Sequence, residues 1–310
     1  NMLKVLLPRL GITTTFVDPD EPKNFTDAVQ ENTRLFFAES LGNPKLDVLD
    51  LKGISREAKA AKVPFMVDST LATPALQNPI AHGVNIVIHS LTKYANGNGS
   101  TMGGVIVDAG NFDWSSGKFP EFTTPSEGYH GLVLHDVLGP AAYIAKVRIE
   151  GLRDLGAAIS PFNAFQIIQG LETLEIRMKK HSENALALAE WLETHEDVAW
   201  VNYPGLKSSK YNALAKKYLP EGQSGLLAFG LKGGFDAGKT VADETKLFAL
   251  VANFGDSKSL VIHPASTTHQ QLTPEEQEST GVTPDLIRLS VGLENVDDLK
   301  ADLQQAFDKV

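Results

Sequence analysis

The feature that most constrains this chain is an alternation, from Leu3 to Asp108, of short β-branched or apolar runs with helical patterns. Ile12–Val17, Leu35–Ala38, Pro64–Asp68, Asn85–His89 and Gly104–Asp108 read as strands, with helix candidates such as Ile54–Lys62 between them. Strands joined by helical crossovers pair in parallel and need cover on both faces, so the pattern predicts an α/β fold with a mostly parallel sheet. Ligands of such sheets sit beyond the carboxyl ends of the strands. Three polar segments occupy those positions: Glu39-Ser40-Leu41-Gly42-Asn43-Pro44, Asp68-Ser69-Thr70 and Ser90-Leu91-Thr92-Lys93.

The remainder of the chain has a different character. A loop from Phe112 to His130, rich in aromatics, Gly and Pro, is too long for a simple connection. Long helical patterns follow near Leu134–Leu155 and Pro161–Glu193, with Pro161 where a helix start tolerates proline. Ala199–Tyr203, Leu226–Leu231 and Ile287–Ser290 read as strands. Asn295 caps a final helix whose apolar face is Val296, Leu299, Leu303, Ala306 and Phe307, with Asp297 and Asp298 in its first turn. This predicts a smaller α+β domain, with a boundary near Phe165 that divides the chain into 1–165 and 166–310. A length of 310 residues suits two domains of roughly 150 each. The opening Asn1-Met2-Leu3-Lys4 already reads as helix, so the true N-terminus is expected upstream.

Charge and composition bound the partners. With 38 Asp+Glu against 28 Lys+Arg, the surface is a poor match for nucleic acid or an anionic membrane. No apolar stretch approaches the roughly 18 residues of a membrane span. The absence of cysteine excludes disulfides, thiolate metal sites and thiol nucleophiles, and agrees with a cytoplasmic location. Small molecules and other copies of the chain are the expected partners.

Several motifs compete for a function. Gly233-Gly234-Phe235-Asp236-Ala237-Gly238-Lys239-Thr240 satisfies the P-loop pattern, but it lies in the smaller domain, away from the βα alternation, where a glycine-rich turn is the simpler reading. Gly97 to Gly103 misses the dinucleotide fingerprint by one residue. His263 and His269 have no metal-pair spacing, and Asn24-Phe25-Thr26 and Asn98-Gly99-Ser100 are chance glycosylation sequons.

Lys93 carries the most chemistry, because it follows a strand and stands beside Ser90 and Thr92, whose hydroxyls suit a phosphate. Asp68, at a neighbouring strand tip, completes what pyridoxal phosphate needs: a lysine for the Schiff base, a carboxylate for the pyridine nitrogen and donors for the phosphate. An amino-acid substrate also brings a carboxylate, best gripped by the two-pronged guanidinium of an arginine. Arg288, amid apolar residues of a strand, is the candidate, with a structural salt bridge as the equal alternative.

These residues resemble the Cys/Met-metabolism enzymes that use pyridoxal phosphate, which have the aspartate-aminotransferase-like (fold type I) architecture. The likeness runs from Leu3 to Phe307 through the segments at 39–44, 67–70 and 89–94, Gly170-Leu171-Glu172-Thr173-Leu174 with Arg177-Met178, and the segments at 263–269 and 287–292. It implies that Lys93 is the cofactor lysine, Asp68 the pyridinium partner and Ser90 and Thr92 phosphate ligands. Asn43 would lie near the cofactor's phenolic oxygen, and Arg288 would hold the substrate carboxylate.

Phe112-Asp113-Trp114, the loop from Lys118 to Leu132 and Gln270-Gln271-Leu272-Thr273 are most similar to the sulfhydrylase branch of that family. That branch implies γ-replacement on an O-acylated homoserine, the acetyl ester with the succinyl ester as an alternative, by sulfide or a small thiol. Lyases and cystathionine-forming members are the alternatives, and a homotetramer is implied. Ser69 and Asn98 replace the family's usual Asn and His. The family also has an N-terminal stretch with a phosphate-binding turn and a ring-stacking aromatic that this sequence does not contain, so the chain is expected to carry part of the cofactor cradle.

Overall fold

Two sheets organise the chain in a computed structural model that describes residues 1–310, the side chain of Ser279 apart. The first has the order β1 (Phe36–Glu39), β2 (Phe65–Asp68), β3 (Ile86–Ser90) and β4 (Gly104–Asp108). β1 to β3 run parallel and β4 is antiparallel, so the expected mostly parallel sheet is present. Helix α1 (Leu51–Ala61) crosses from β1 to β2 and buries Leu51, Ile54 and Ala58, residues spaced at helical intervals, against Phe36, Phe65 and Val67.

The second sheet comprises β5 (Val198–Asn202), β6 (Leu226–Leu231), β7 (Ala249–Leu250), β8 (Leu260–Ile262) and β9 (Leu286–Ser290), in the order β5-β6-β9-β8-β7. Helices α3 (Leu174–Glu193), α4 (Gly234–Glu244) and α5 (Val296–Phe307) contribute Leu188, Val241 and Leu303 to a core shared with Leu227, Phe229 and Ile287. Asn295 caps α5 as expected, its side chain accepting the Asp297 N–H. A junction cluster including Leu41, Leu71, Tyr94, Met178 and Leu226 packs the two sheets' elements together.

Three expectations and one omission are corrected. Ile12–Val17 is not a strand, and the strand neighbour of β1 is β2 alone; without a ladder an extended segment has no regular partner for its backbone groups. The helix expected over Leu134–Leu155 is broken into Leu134–Leu138 and, beyond a tight 3-10 turn at Gly139–Ala141, Ala142–Lys146 continuing as a π-helix over Val147–Leu155, because Gly139-Pro140 interrupts the hydrogen-bond ladder. Pro161–Glu193 is two helices, α2 (Pro161–Leu171) and α3. The Arg177 guanidinium takes the Gly170 carbonyl at 2.6 Å and the Tyr94 carbonyl at 2.7 Å, ending α2 on the loop that follows Lys93. The fourth is an omission: β7 and β8, of two and three residues, are too short to show a period. Among the described residues no helix is long and apolar enough to cross a membrane.

Candidate active site

The carboxyl ends of β1, β2 and β3 form the floor of the site. Parallel register sets Glu39 beside Asp68, and Asp68 beside Ile88, on one face of the sheet. Asp68 Oδ1 accepts the Thr70 N–H at 2.9 Å and the Thr70 hydroxyl at 2.5 Å, which turns the chain sharply after β2. The Thr70 oxygen in turn accepts the Ser90 N–H at 2.8 Å, fastening the tip of β3. Glu39, Asn43, Asp68, Thr70, Ser90 and Phe254 enclose a cavity of about 140 Å³.

Lys93 and Arg288 meet at a segment from the second sheet. The Lys93 Nζ donates to Asn253 Oδ1 and lies 4.7 Å from the centre of the Phe254 ring. Arg288 donates from Nη1 to Asn43 Oδ1 and from Nη2 to the Asn253 carbonyl, each at 3.1 Å, with its guanidinium carbon 5.8 Å from the same ring. Partial burial, and then the nearby Arg288 charge, hold the Lys93 ammonium below its ordinary range. Burial also pushes the Arg288 guanidinium down to about 10. No carboxylate among the described residues pairs with Arg288, so the salt-bridge alternative is not what this fold builds.

Asp68, Ser90 and Asn43 therefore share one cavity, and Lys93 and Arg288 reach it through Phe254 and Asn43. Thr92 stands apart: its hydroxyl donates to the Gly103 carbonyl at 3.3 Å and accepts the Gly103 N–H at 3.2 Å. Sequence reasoning missed Asn253-Phe254-Gly255. Gly255 has φ +80°, and a Cβ there would lie 2.6 Å from the Tyr94 nitrogen, so glycine is what lets this loop close onto Lys93. An isolated Asn-Phe-Gly carries no motif, so the signal emerges only in three dimensions.

The competing motifs have structural explanations. Lys239 lies inside α4 and pairs with Asp243 at 2.6 Å, while Asp236 in the first turn puts a negative charge where a phosphate would sit, so the P-loop reading fails. The His263 ring lies 2.9 Å from the Ser266 hydroxyl and 2.7 Å from the Pro284 carbonyl, a satisfied core histidine. Among the described residues no cluster of His, Cys, Asp or Glu is suited to a metal ion.

Set against pyridoxal phosphate, the donor chemistry fits at three points. Lys93 is an amine biased toward its neutral form, Asp68 has no protein donor on Oδ2, and the Ser90 hydroxyl has no protein partner, each among the described residues. The Thr92 hydroxyl is already engaged, so the hydroxyl left for the phosphate at this loop is that of Ser90.

Comparison with known proteins bears on the same site. The Cys/Met metabolism PLP-dependent enzyme family is matched over residues 1–308. The chain is 52% identical to an O-acetyl-L-homoserine sulfhydrylase of Leptospira meyeri, an alignment covering 100% of this chain and 72% of that protein. It is 51% identical to a homocysteine synthase of Schizosaccharomyces pombe, covering 99% and 72%. A crystal structure described as an O-acetylhomoserine (thiol)-lyase of Campylobacter jejuni, in which a lysine carries a pyridoxyl phosphate group, superposes with a TM-score of 0.95. That pair is 43% identical, and the superposition covers 99% of this chain and 73% of the other.

Proposed function

The chain belongs to the Cys/Met metabolism PLP-dependent enzyme family, and from that premise we propose that it acts on O-acetyl-L-homoserine. It replaces the γ-acetoxy group with sulfide or a small thiol, giving homocysteine or methionine and releasing acetate. The observation that carries this reading is that Asp68 lines a cavity whose walls, Phe254 and Asn43, contact Lys93 and Arg288, in a chain about half identical along its length to a sulfhydrylase.

When bound, pyridoxal phosphate supplies an electron sink next to the substrate's α-carbon. Lys93 anchors that group and, once released, carries protons from Cα and then Cβ, which requires a neutral amine. Partial burial and the Arg288 charge both favour that form. The Asp68 carboxylate would keep the ring nitrogen protonated and the Ser90 hydroxyl would hold the phosphate, a part also expected of Thr92, whose hydroxyl Gly103 already occupies. Arg288 would grip the substrate carboxylate, and Asn43, bonded to it, orients the guanidinium and would lie near the ring's phenolic oxygen.

Incubating the purified protein with sulfide and either O-acetyl- or O-succinylhomoserine tests this directly. Acetate and homocysteine are expected from the first substrate. A preference for the succinyl ester, cystathionine from added cysteine, or 2-oxobutyrate would move the protein to another branch of the family.

Three further readings accompany this one. We divide the chain into a cofactor-binding part, residues 1–165, and a carboxylate-binding part, residues 166–310. The protein works in the cytoplasm. It self-associates as a tetramer; Phe162, Phe165, Ile168 and Leu171, an exposed apolar row at three-residue spacing along α2, support one self-contact.

A further inference from the structure

One acidic residue of the site has no part in the scheme above. Glu39 ends β1 beside Asp68, and it lines both the small cavity and a larger one of about 670 Å³ lying between β1 and residues 11–17. Its Oε2 accepts the Asn43 N–H at 2.9 Å, and Asn43 Oδ1 accepts the Arg288 Nη1–H at 3.1 Å. The rest of the loop is pinned locally, the Leu46 N–H donating to the Gly42 carbonyl at 3.0 Å and the Gly42 N–H to the Asp47 carbonyl at 2.9 Å. Asn43 itself is exposed, and its amide is tied to β1 through the Glu39 carboxylate.

We propose that Glu39 is a positioning residue: by holding the Asn43 amide it sets the Asn43 carboxamide against Arg288, and so fixes the guanidinium for the substrate carboxylate. This rests on the reading of Arg288 as the carboxylate-binding group. The charged groups facing Glu39 are Asp68 on β2, Asp47 in the following loop and, across Asn43, Arg288 on β9.

Glu39 keeps accessible surface at the mouth of the larger cavity, while protein crowds its other sides. That crowding first, and then the charges of Asp68 and Asp47, push its carboxyl up to about 7 against the opposing pull of the Asn43 amide. Below that pH the acid is neutral and accepts the amide through its carbonyl oxygen. Above it, a second negative charge stands beside Asp68 and opposes an incoming carboxylate, so substrate affinity falls as pH rises through the neutral range.

The test uses L-norvaline, which has the substrate's α-amino acid group and no leaving group, titrated calorimetrically into the cofactor-loaded protein. At about pH 6, Glu39→Ala weakens binding roughly tenfold, the size of one lost hydrogen bond. Glu39→Gln, which retains an acceptor for the Asn43 amide, restores affinity to within about twofold and abolishes the decline toward about pH 8. In cofactor-free protein, the Asn43 amide exchanges with solvent several times faster in Glu39→Ala than in the wild type.

Arg288→Lys is measured in parallel. Weak norvaline binding in that variant with unchanged binding in Glu39→Ala overturns the inference alone, as does a Glu39→Gln protein that keeps the wild-type pH dependence. Unchanged binding in Arg288→Lys overturns the carboxylate reading of Arg288 and the inference with it.

Discussion

The two sheets treat their polar groups in opposite ways. In the second, all six residues of β6 are buried, and the buried Asp302 of α5 accepts the backbone N–H groups of Lys246, Leu247 and Phe248 at 2.8 to 3.0 Å. In the first, β4 leaves Val105, Ile106 and Val107 more than a third exposed. Its strand tips end in groups whose hydrogen-bonding capacity is only partly used, Asp68 Oδ2 and the Ser90 hydroxyl, and Lys93, just past β3, has no acidic partner. A carboxylate whose lone pairs are filled by its own domain acts as a structural staple. One with spare capacity at a cavity is placed for a ligand.

The sharpest way to break this contrast is at Lys93. Lys93→Ala is expected to abolish covalent attachment of the cofactor and lower turnover by at least about 10³-fold, roughly 4 kcal/mol of barrier. Borohydride reduction of the wild type should fix the cofactor on Lys93, and label on another lysine would refute the assignment. Asp68→Asn comes next. It keeps the shape and removes the charge, so the rate should fall about 10²- to 10³-fold while cofactor affinity changes far less. Unchanged turnover would make Asp68 a strand-end carboxylate and nothing more.

Arg288→Lys retains the charge and loses the two-pronged geometry. kcat/KM should drop about 10²-fold with the cofactor still attached, and near-normal kinetics would assign Arg288 to structure. On the other side of the comparison, Asp302→Ala orphans three backbone N–H groups. A loss of about 2 kcal/mol in urea unfolding is expected, with the cofactor still attached to Lys93. The smallest effect belongs to Lys239→Ala. Magnesium-dependent ATP binding should be undetectable by calorimetry in both variant and wild type, and measurable binding lost on substitution would revive the P-loop reading.

How much of this was legible depended on the range of the interaction. Asp68, Ser90 and Lys93 were visible because each lies within five residues of a strand, and strands announce themselves through local apolar runs. Thr92 looked equivalent to Ser90, yet its hydroxyl is taken by Gly103, eleven residues on, a contact that no local pattern encodes. The break between α2 and α3 was hidden for the same reason, since the Arg177 side chain that ends α2 does so by reaching the loop after Lys93.

Sequence alone determined the strand tips, the parallel character of the first sheet, the cap at Asn295 and the residue types needed for amine chemistry, because periodicity, capping and turn preferences act over a few residues. The tertiary structure decided which of those types meet. Register placed Glu39 against Asp68, and Gly255 allowed Asn253 and Phe254 to close on Lys93 from about 160 residues away. Arg288 found Asn43 across the junction between the two sheets. Such contacts form only when separate cores have packed, and burial in that packing is what moves the Lys93 amine and the Arg288 guanidinium from their ordinary ranges.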